Sequence, residues 1–200
     1  MKLYTGKTPM GLRVNVAVAE KGIELPTEWI NVMEGETRTT EFLALNSLGE
    51  VPVLELDDGT HLTESIAICR YLDSLFPQMP LFGEDPLQAA RIEMWTRRME
   101  IQVCTPIGEY GRHTFPLFAD RLEQIPAYAQ SQLPIQIERW KWFDKELSDG
   151  RTFVVDDVFS IADVAGMSAL LVSDFAQHPV PESLHHVKRW EQAMRARKGW

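Results

Sequence analysis

The chain has 200 residues, 44% of them apolar and 24% charged, enough to bury a sizeable core in one large domain or two small ones. A formal charge of −9 argues against nucleic acid and anionic membrane surfaces as partners. Only two cysteines occur, Cys69 and Cys104. No run of about 18 apolar residues is present, and Met1 to Thr5 enters a strand pattern directly; the expectation is a cytoplasmic protein with free thiols. No C-x-x-C, Cys/His cluster or H-E-x-x-H appears, so a metal site has no support.

Lys2 to Thr5 reads as a short strand and Gly6-Lys7-Thr8-Pro9 as a turn. Met10 to Glu20 is a helix, with Val14, Ala17, Val18 and Lys21 on one face and Lys21-Gly22 as its stop. A second strand follows Pro26, over residues 28–32. Strand, helix and strand in about thirty residues form a βαβ unit with a parallel pair. Met33 to Thr37 is a polar loop and Thr40 to Asn46 a short helix. Val51 to Leu56 and Thr60 to Leu62 pair as a hairpin across Asp58-Gly59, and Glu64 to Phe76 is a helix with Ile68, Leu72 and Leu75 on one stripe.

Prolines 77 and 80 and Gly83 mark a linker. Beyond Pro86 no strand pattern is found. Leu87 to Gly111 reads as one long helix, kinked at Pro106, and Leu117 to Leu147 as helix broken near Pro126 and Pro134. Ser160 and Asp163 form a capping box ahead of an apolar, small-residue helix; residues 182–197 make the last helix. The fold class is therefore an α/β N-terminal domain of order βαβαββα, thioredoxin-like, over residues 1–76. A linker covers 77–85 and an all-α domain 86–200.

Two stretches suggest a ligand site. Pro52 opens a strand after a glycine turn, where a cis bond would turn the Val51 N–H and C=O toward a ligand. Glu64 and Ser65 stand where a helix begins. The helix start and the serine hydroxyl suit a carboxylate, and Glu64 suits an ammonium group: together, a zwitterionic amino-acid end.

Val51-Pro52, then Thr63-Glu64-Ser65-Ile66-Ala67-Ile68 and Tyr71-Leu72, resembles the glutathione site of the cytosolic glutathione S-transferase superfamily. The domain order and the buried capping box resemble the same family. The likeness implies glutathione as co-substrate, a homodimer, and attack of the glutathione thiolate on a small hydrophobic electrophile. Glutathione-dependent reduction of disulfides or peroxides, and a non-catalytic binding or scaffold role, are the alternatives.

The thiolate must be held at neutral pH, by the dipole of the first helix or by a hydroxyl beside the sulfur. Thr8-Pro9-Met10-Gly11 is similar to the Thr-Pro-Asn-Gly branches, with Met10 in place of Asn, which makes Thr8 the catalytic candidate, followed by Thr5 and Tyr4. The stretch holds no cysteine, which argues against a mixed disulfide with the protein. Arg38 is the candidate for the glycine carboxylate, and Glu50 is read as surface. The resemblance places an electrophile pocket between the first-helix turn (Met10, Gly11 and Leu12, with Met10 and Leu12 as exposed apolar residues) and the end of the long helix, at Cys104, Gly108, Tyr110 and His113.

Overall fold

The computed structural model describes all 200 residues. They form two compact units: Met1–Leu81 with Arg197–Trp200, and Phe82–Ala196.

The first unit is built on a four-stranded sheet of order β2-β1-β3-β4. β1 (Lys2–Thr5) runs parallel to β2 (Thr27–Trp29) and antiparallel to β3 (Val53–Glu55), which pairs with β4 (His61–Leu62). Leu3 faces Thr27 on one side and Leu54 on the other, and Leu3 and Leu54 are both fully buried. α1 (Pro9–Lys21) packs against α3 (Ser65–Leu75). Thr8 caps α1, its Oγ1 accepting the Gly11 N–H at 3.0 Å, and Pro9 needs no acceptor at the first helical position. Gly22, at φ 63°, closes the helix in the left-handed region.

The second strand is shorter than the pattern 28–32 predicts. The Ile30 N–H still reaches the Thr5 carbonyl at 2.7 Å, but Asn31 then turns the chain, its Oδ1 accepting the Met33 N–H. The predicted loop is two 3-10 turns, Val32–Glu34 and Glu36–Arg38, before α2 (Thr40–Leu45). Ile30, Phe42, Val51 and Val53 make a core cluster beside them.

The first unit ends later than residue 76, and a buried lysine explains why. Lys21 Nζ donates to Asp73 Oδ1 at 2.6 Å and to the Gln78 and Met79 carbonyls at 2.9 and 3.0 Å, while Asp73 also accepts the Leu81 N–H. Residues 77–81 are thereby tied to α1 and α3. Arg197 rejoins the unit through Glu20, whose carboxylate takes two guanidinium bonds and the Lys198 N–H. These contacts span 177 residues and leave no local signal.

The second unit is helical: α4 (Pro86–Arg98), α5 (Thr105–Arg112), α6 (Pro126–Glu146), α7 (Ile161–Ala176) and α8 (His185–Arg195). α4 and α5 are joined through a π-helical stretch, Met99–Cys104, so the irregularity predicted at Pro106 lies ahead of it. There the Thr105 N–H and hydroxyl both reach the Glu100 carbonyl, an i→i−5 bond. Pro126 begins α6 rather than breaking it. Pro134 lies inside α6 without ending it, at the cost of one ladder bond. α7 is buried almost all round, and a Cβ at Gly166 would come within 2.9 Å of the Trp190 ring as well as 2.5 Å of Met99 Cε, so any side chain there must displace the core. No helix is long and apolar enough to cross a membrane.

Candidate functional site

Glycines set the geometry of the β1–α1 turn. A Cβ on Gly6 would stand 2.9 Å from the Ile30 carbonyl oxygen and 3.4 Å from Val51 Cγ2. A Cβ on Gly11 would stand 2.3 Å from the Gly6 carbonyl oxygen and about equally near the hydroxyls of Thr5 and Thr8, at 3.0 and 3.1 Å. The start of α1 therefore lies directly on the turn, and the turn on Val51.

The Val51–Pro52 peptide is cis. The Val51 side chain is in the core cluster, while its N–H and C=O make no hydrogen bond within the chain. That exposes one donor and one acceptor to an extended ligand.

α3 begins without a capping side chain. Glu64 occupies the cap position at φ 66°, in the left-handed region rare for a side-chain-bearing residue, and is exposed. Its carboxylate does not fold back on the helix, so the first N–H groups of α3 are left for an anion. Ser65, 5% exposed, adds its hydroxyl. Ser65 Oγ accepts from Arg13 Nη1 at 3.4 Å and donates to Met10 Sδ at 4.0 Å. Both contacts come from α1, which brings Ser65 beside the Thr8–Met10 turn.

Thr8 is part of that turn. Its Oγ1 already accepts a bond, and its hydroxyl proton remains to donate. The Met10 N–H, one residue inside the helix, lies outside the capping bonds. The other two hydroxyl candidates are engaged: Thr5 is fully buried and donates to Asn15 Oδ1 at 3.1 Å, and the Tyr4 hydroxyl donates to Glu55 Oε2 at 2.8 Å.

One expectation needs correction: Leu12 is buried on α1 rather than exposed, because that helix is covered on nearly every side. Cys104 is partly exposed and donates its thiol proton to the Ala165 carbonyl of α7 at 3.2 Å. Arg38 is exposed, lies over Gly49 and donates to the Leu48 carbonyl at 3.1 Å. Burial pushes the Cys69 thiol up to about 12, so it is not a nucleophile at neutral pH.

In the second unit, a Cβ at Gly108 would meet nothing within 4 Å, so the α5 backbone is open there. Tyr110 stands edge-on to His178 with ring centroids 4.9 Å apart. His113 Nδ1 accepts the Ile125 N–H at 3.1 Å, and its ring packs edge-on to Tyr128. His113 thus anchors the chain entering α6, and its other nitrogen carries the proton.

Sequence reasoning missed Arg13. It is 3% exposed and set among the valines of α1. An arginine between Leu12 and Val14 in an apolar stretch was the available signal; Ser65, which it bonds, lies 52 residues away and gave none.

The glutathione S-transferase N-terminal domain family matches residues 9–75, and the glutathione S-transferase C-terminal domain family matches 109–198. Glutathione S-transferase 2 of Saccharomyces cerevisiae is 34% identical over 203 residues, covering 98% of this chain and 87% of that protein. The crystal structure of a glutathione S-transferase domain-containing protein from Marinobacter aquaeolei superposes with a TM-score of 0.91 at 34% identity, covering 100% of this chain and 99% of that one. Gtt2 of Saccharomyces cerevisiae superposes with a TM-score of 0.88 at 34% identity, covering 100% and 98%.

Proposed function

This chain belongs to the glutathione S-transferase superfamily, an enzyme with glutathione as co-substrate, and from that premise we propose the roles of its residues and its reaction. The reaction is attack of the glutathione thiolate on a small hydrophobic electrophile.

The uncapped start of α3, with Ser65 buried at its mouth, is the observation that carries this reading. Its N–H groups and the Ser65 hydroxyl take the γ-glutamyl carboxylate, with the Arg13 guanidinium behind Ser65 adding positive charge in a low-dielectric setting. Glu64 takes the ammonium group. Val51 pairs with the tripeptide backbone through its unpaired N–H and C=O. Arg38 serves the glycine carboxylate from the adjoining loop.

The thiolate is held by the Thr8 hydroxyl and the Met10 N–H, at the positive end of α1. No general base is needed. Catalysis is thiolate stabilisation with positioning of the electrophile. The electrophile contact assigned on the first unit is Met10, exposed beside the thiolate position.

The enzyme acts as a homodimer. Leu87, Met94 and Ile101 recur every seven residues along α4 and the π-helical stretch, all exposed, as a helix meeting a second copy requires.

The test is a calorimetric titration with reduced glutathione and with its S-hexyl conjugate. Binding of both, with the conjugate tighter, supports the site and an apolar neighbour to it. A folded protein that binds neither overturns the assignment.

A further inference from the structure

Eight methionines occur in the chain, and Met10 differs from the rest in what its sulfur touches. Met99, Met167 and Met194 are fully buried, whereas Met33, Met79 and Met94 are exposed. Met10 is 37% exposed and stands one residue inside the start of α1. Its Sδ accepts the Ser65 hydroxyl at 4.0 Å, and no other methionine sulfur receives a hydrogen bond in the structure. Ser65 Oγ in turn accepts from Arg13 Nη1 of the same helix, three residues on, at 3.4 Å.

This places an oxidisable atom against the hydroxyl assigned to the γ-glutamyl carboxylate. We infer that Met10 is a modification site: oxidation of its thioether by a hydroperoxide closes the γ-glutamyl end of the glutathione site. The inference rests on the assignment of Ser65 made above.

The chemistry is self-contained. The sulfur lone pair attacks the terminal oxygen of a hydroperoxide, an S–O bond forms and the O–O bond breaks. Sulfur loses two electrons, and the proton passes to the departing oxygen, leaving an alcohol or water. A thioether is a weak acceptor, so in the reduced protein the Ser65 proton is readily given up to a carboxylate. A sulfoxide oxygen is a far stronger acceptor. Added to a sulfur 4.0 Å from Oγ, it stands at hydrogen-bonding distance from that hydroxyl and holds its proton. The sulfoxide dipole also presents negative charge where the incoming carboxylate must sit. The other methionine sulfurs lack this contact, so their oxidation leaves the site unchanged.

The experiment treats the enzyme with hydrogen peroxide, removes the oxidant with catalase, identifies oxidised methionines by peptide mass spectrometry and titrates glutathione. Wild type, Met10→Leu and Met33→Leu are each compared with their own untreated state. Expected is conversion of Met10, a fall in glutathione affinity of at least tenfold in wild type and Met33→Leu, and no fall in Met10→Leu. Methionine sulfoxide reductase restores wild-type affinity. Three results overturn the inference: Met10 resists peroxide while Met33 is oxidised, Met10 is oxidised with affinity intact, or Met10→Leu loses affinity as wild type does. Untreated enzyme that binds no glutathione removes the assignment of Ser65 and this inference together, which separates that failure from the other three.

Discussion

Asp163 accepts a hydrogen bond from Trp190 Nε1 at 2.9 Å, joining the start of α7 to the middle of α8 in the core of the helical unit. The same carboxylate takes the Val154 N–H at 2.9 Å, the Ser160 N–H at 3.1 Å and the Ser160 hydroxyl at 3.3 Å. All these groups are buried, so removing the acceptor leaves several donors without partners. Asp163→Asn is expected to cost about 1–3 kcal/mol at pH 7, measured by urea unfolding. Burial pushes the Asp163 carboxyl up to about 6, against the hydrogen bonds that lower it. A folded value above the unfolded one means that folding favours the neutral acid. The proton-linked part of its contribution is then complete below the unfolded pKa near 3.9 and is lost as pH rises through about 6, while the buried hydrogen bonds remain at pH 7. The stability difference between wild type and Asp163→Asn should therefore be larger at pH 4 than at pH 7, by up to about 3 kcal/mol. A difference that stays level over that range contradicts the assignment.

Gly11 is held by a close approach rather than by its own backbone angles. A Cβ there would lie 2.3 Å from the Gly6 carbonyl oxygen, a contact that rigid backbone must move to relieve. Gly11→Ala is expected to destabilise the protein by about 2 kcal/mol and to weaken glutathione binding, because the start of α1 shifts. Unchanged urea midpoint and affinity would show that the turn yields freely.

What was legible in the sequence was local chemistry. Thr8, Pro9 and Gly22 bracket α1 because capping and chain-stopping act within a few residues, and Ser160 with Asp163 marks α7 for the same reason. Glu64 and Ser65 were readable as a helix start with unusual chemistry. What was not legible depends on distant partners. Lys21 reaches the chain near residue 78, and Glu20 reaches Arg197, which moved the boundary of the first unit. Pro134 resembles a helix breaker in isolation, yet the packing of α6 against α5 outweighs one lost bond. Leu12 looked exposed because a turn residue carries no record of what covers it.

Thr8 has two jobs in this reading, and they separate experimentally. Its Oγ1 caps Gly11, a bond worth about 1 kcal/mol, and its proton is assigned to the glutathione sulfur. Thr8→Ser keeps both. Thr8→Ala should lower stability by about 1 kcal/mol and raise the thiol pKa of bound glutathione by about one unit or more, since a bond to a charged acceptor is lost. Thiolate absorbance in the ultraviolet, followed against pH, measures this. Reduced stability with an unchanged thiol pKa would make Thr8 a cap alone and leave the sulfur to the Met10 N–H.

Ser65 offers the cleanest separation of binding from folding. Its hydroxyl is bonded within the protein only to the Arg13 guanidinium and the Met10 sulfur, at 3.4 and 4.0 Å, both long contacts. Losing them should move the melting temperature little. A hydroxyl bonded to a carboxylate contributes about 1.5–3 kcal/mol, so Ser65→Ala should weaken glutathione at least about tenfold. S-hexyl glutathione should lose affinity by the same factor, because its hexyl chain is carried by the cysteine sulfur and leaves the γ-glutamyl carboxylate unchanged. Affinity within twofold of wild type for both ligands would mean that the γ-glutamyl carboxylate is held elsewhere.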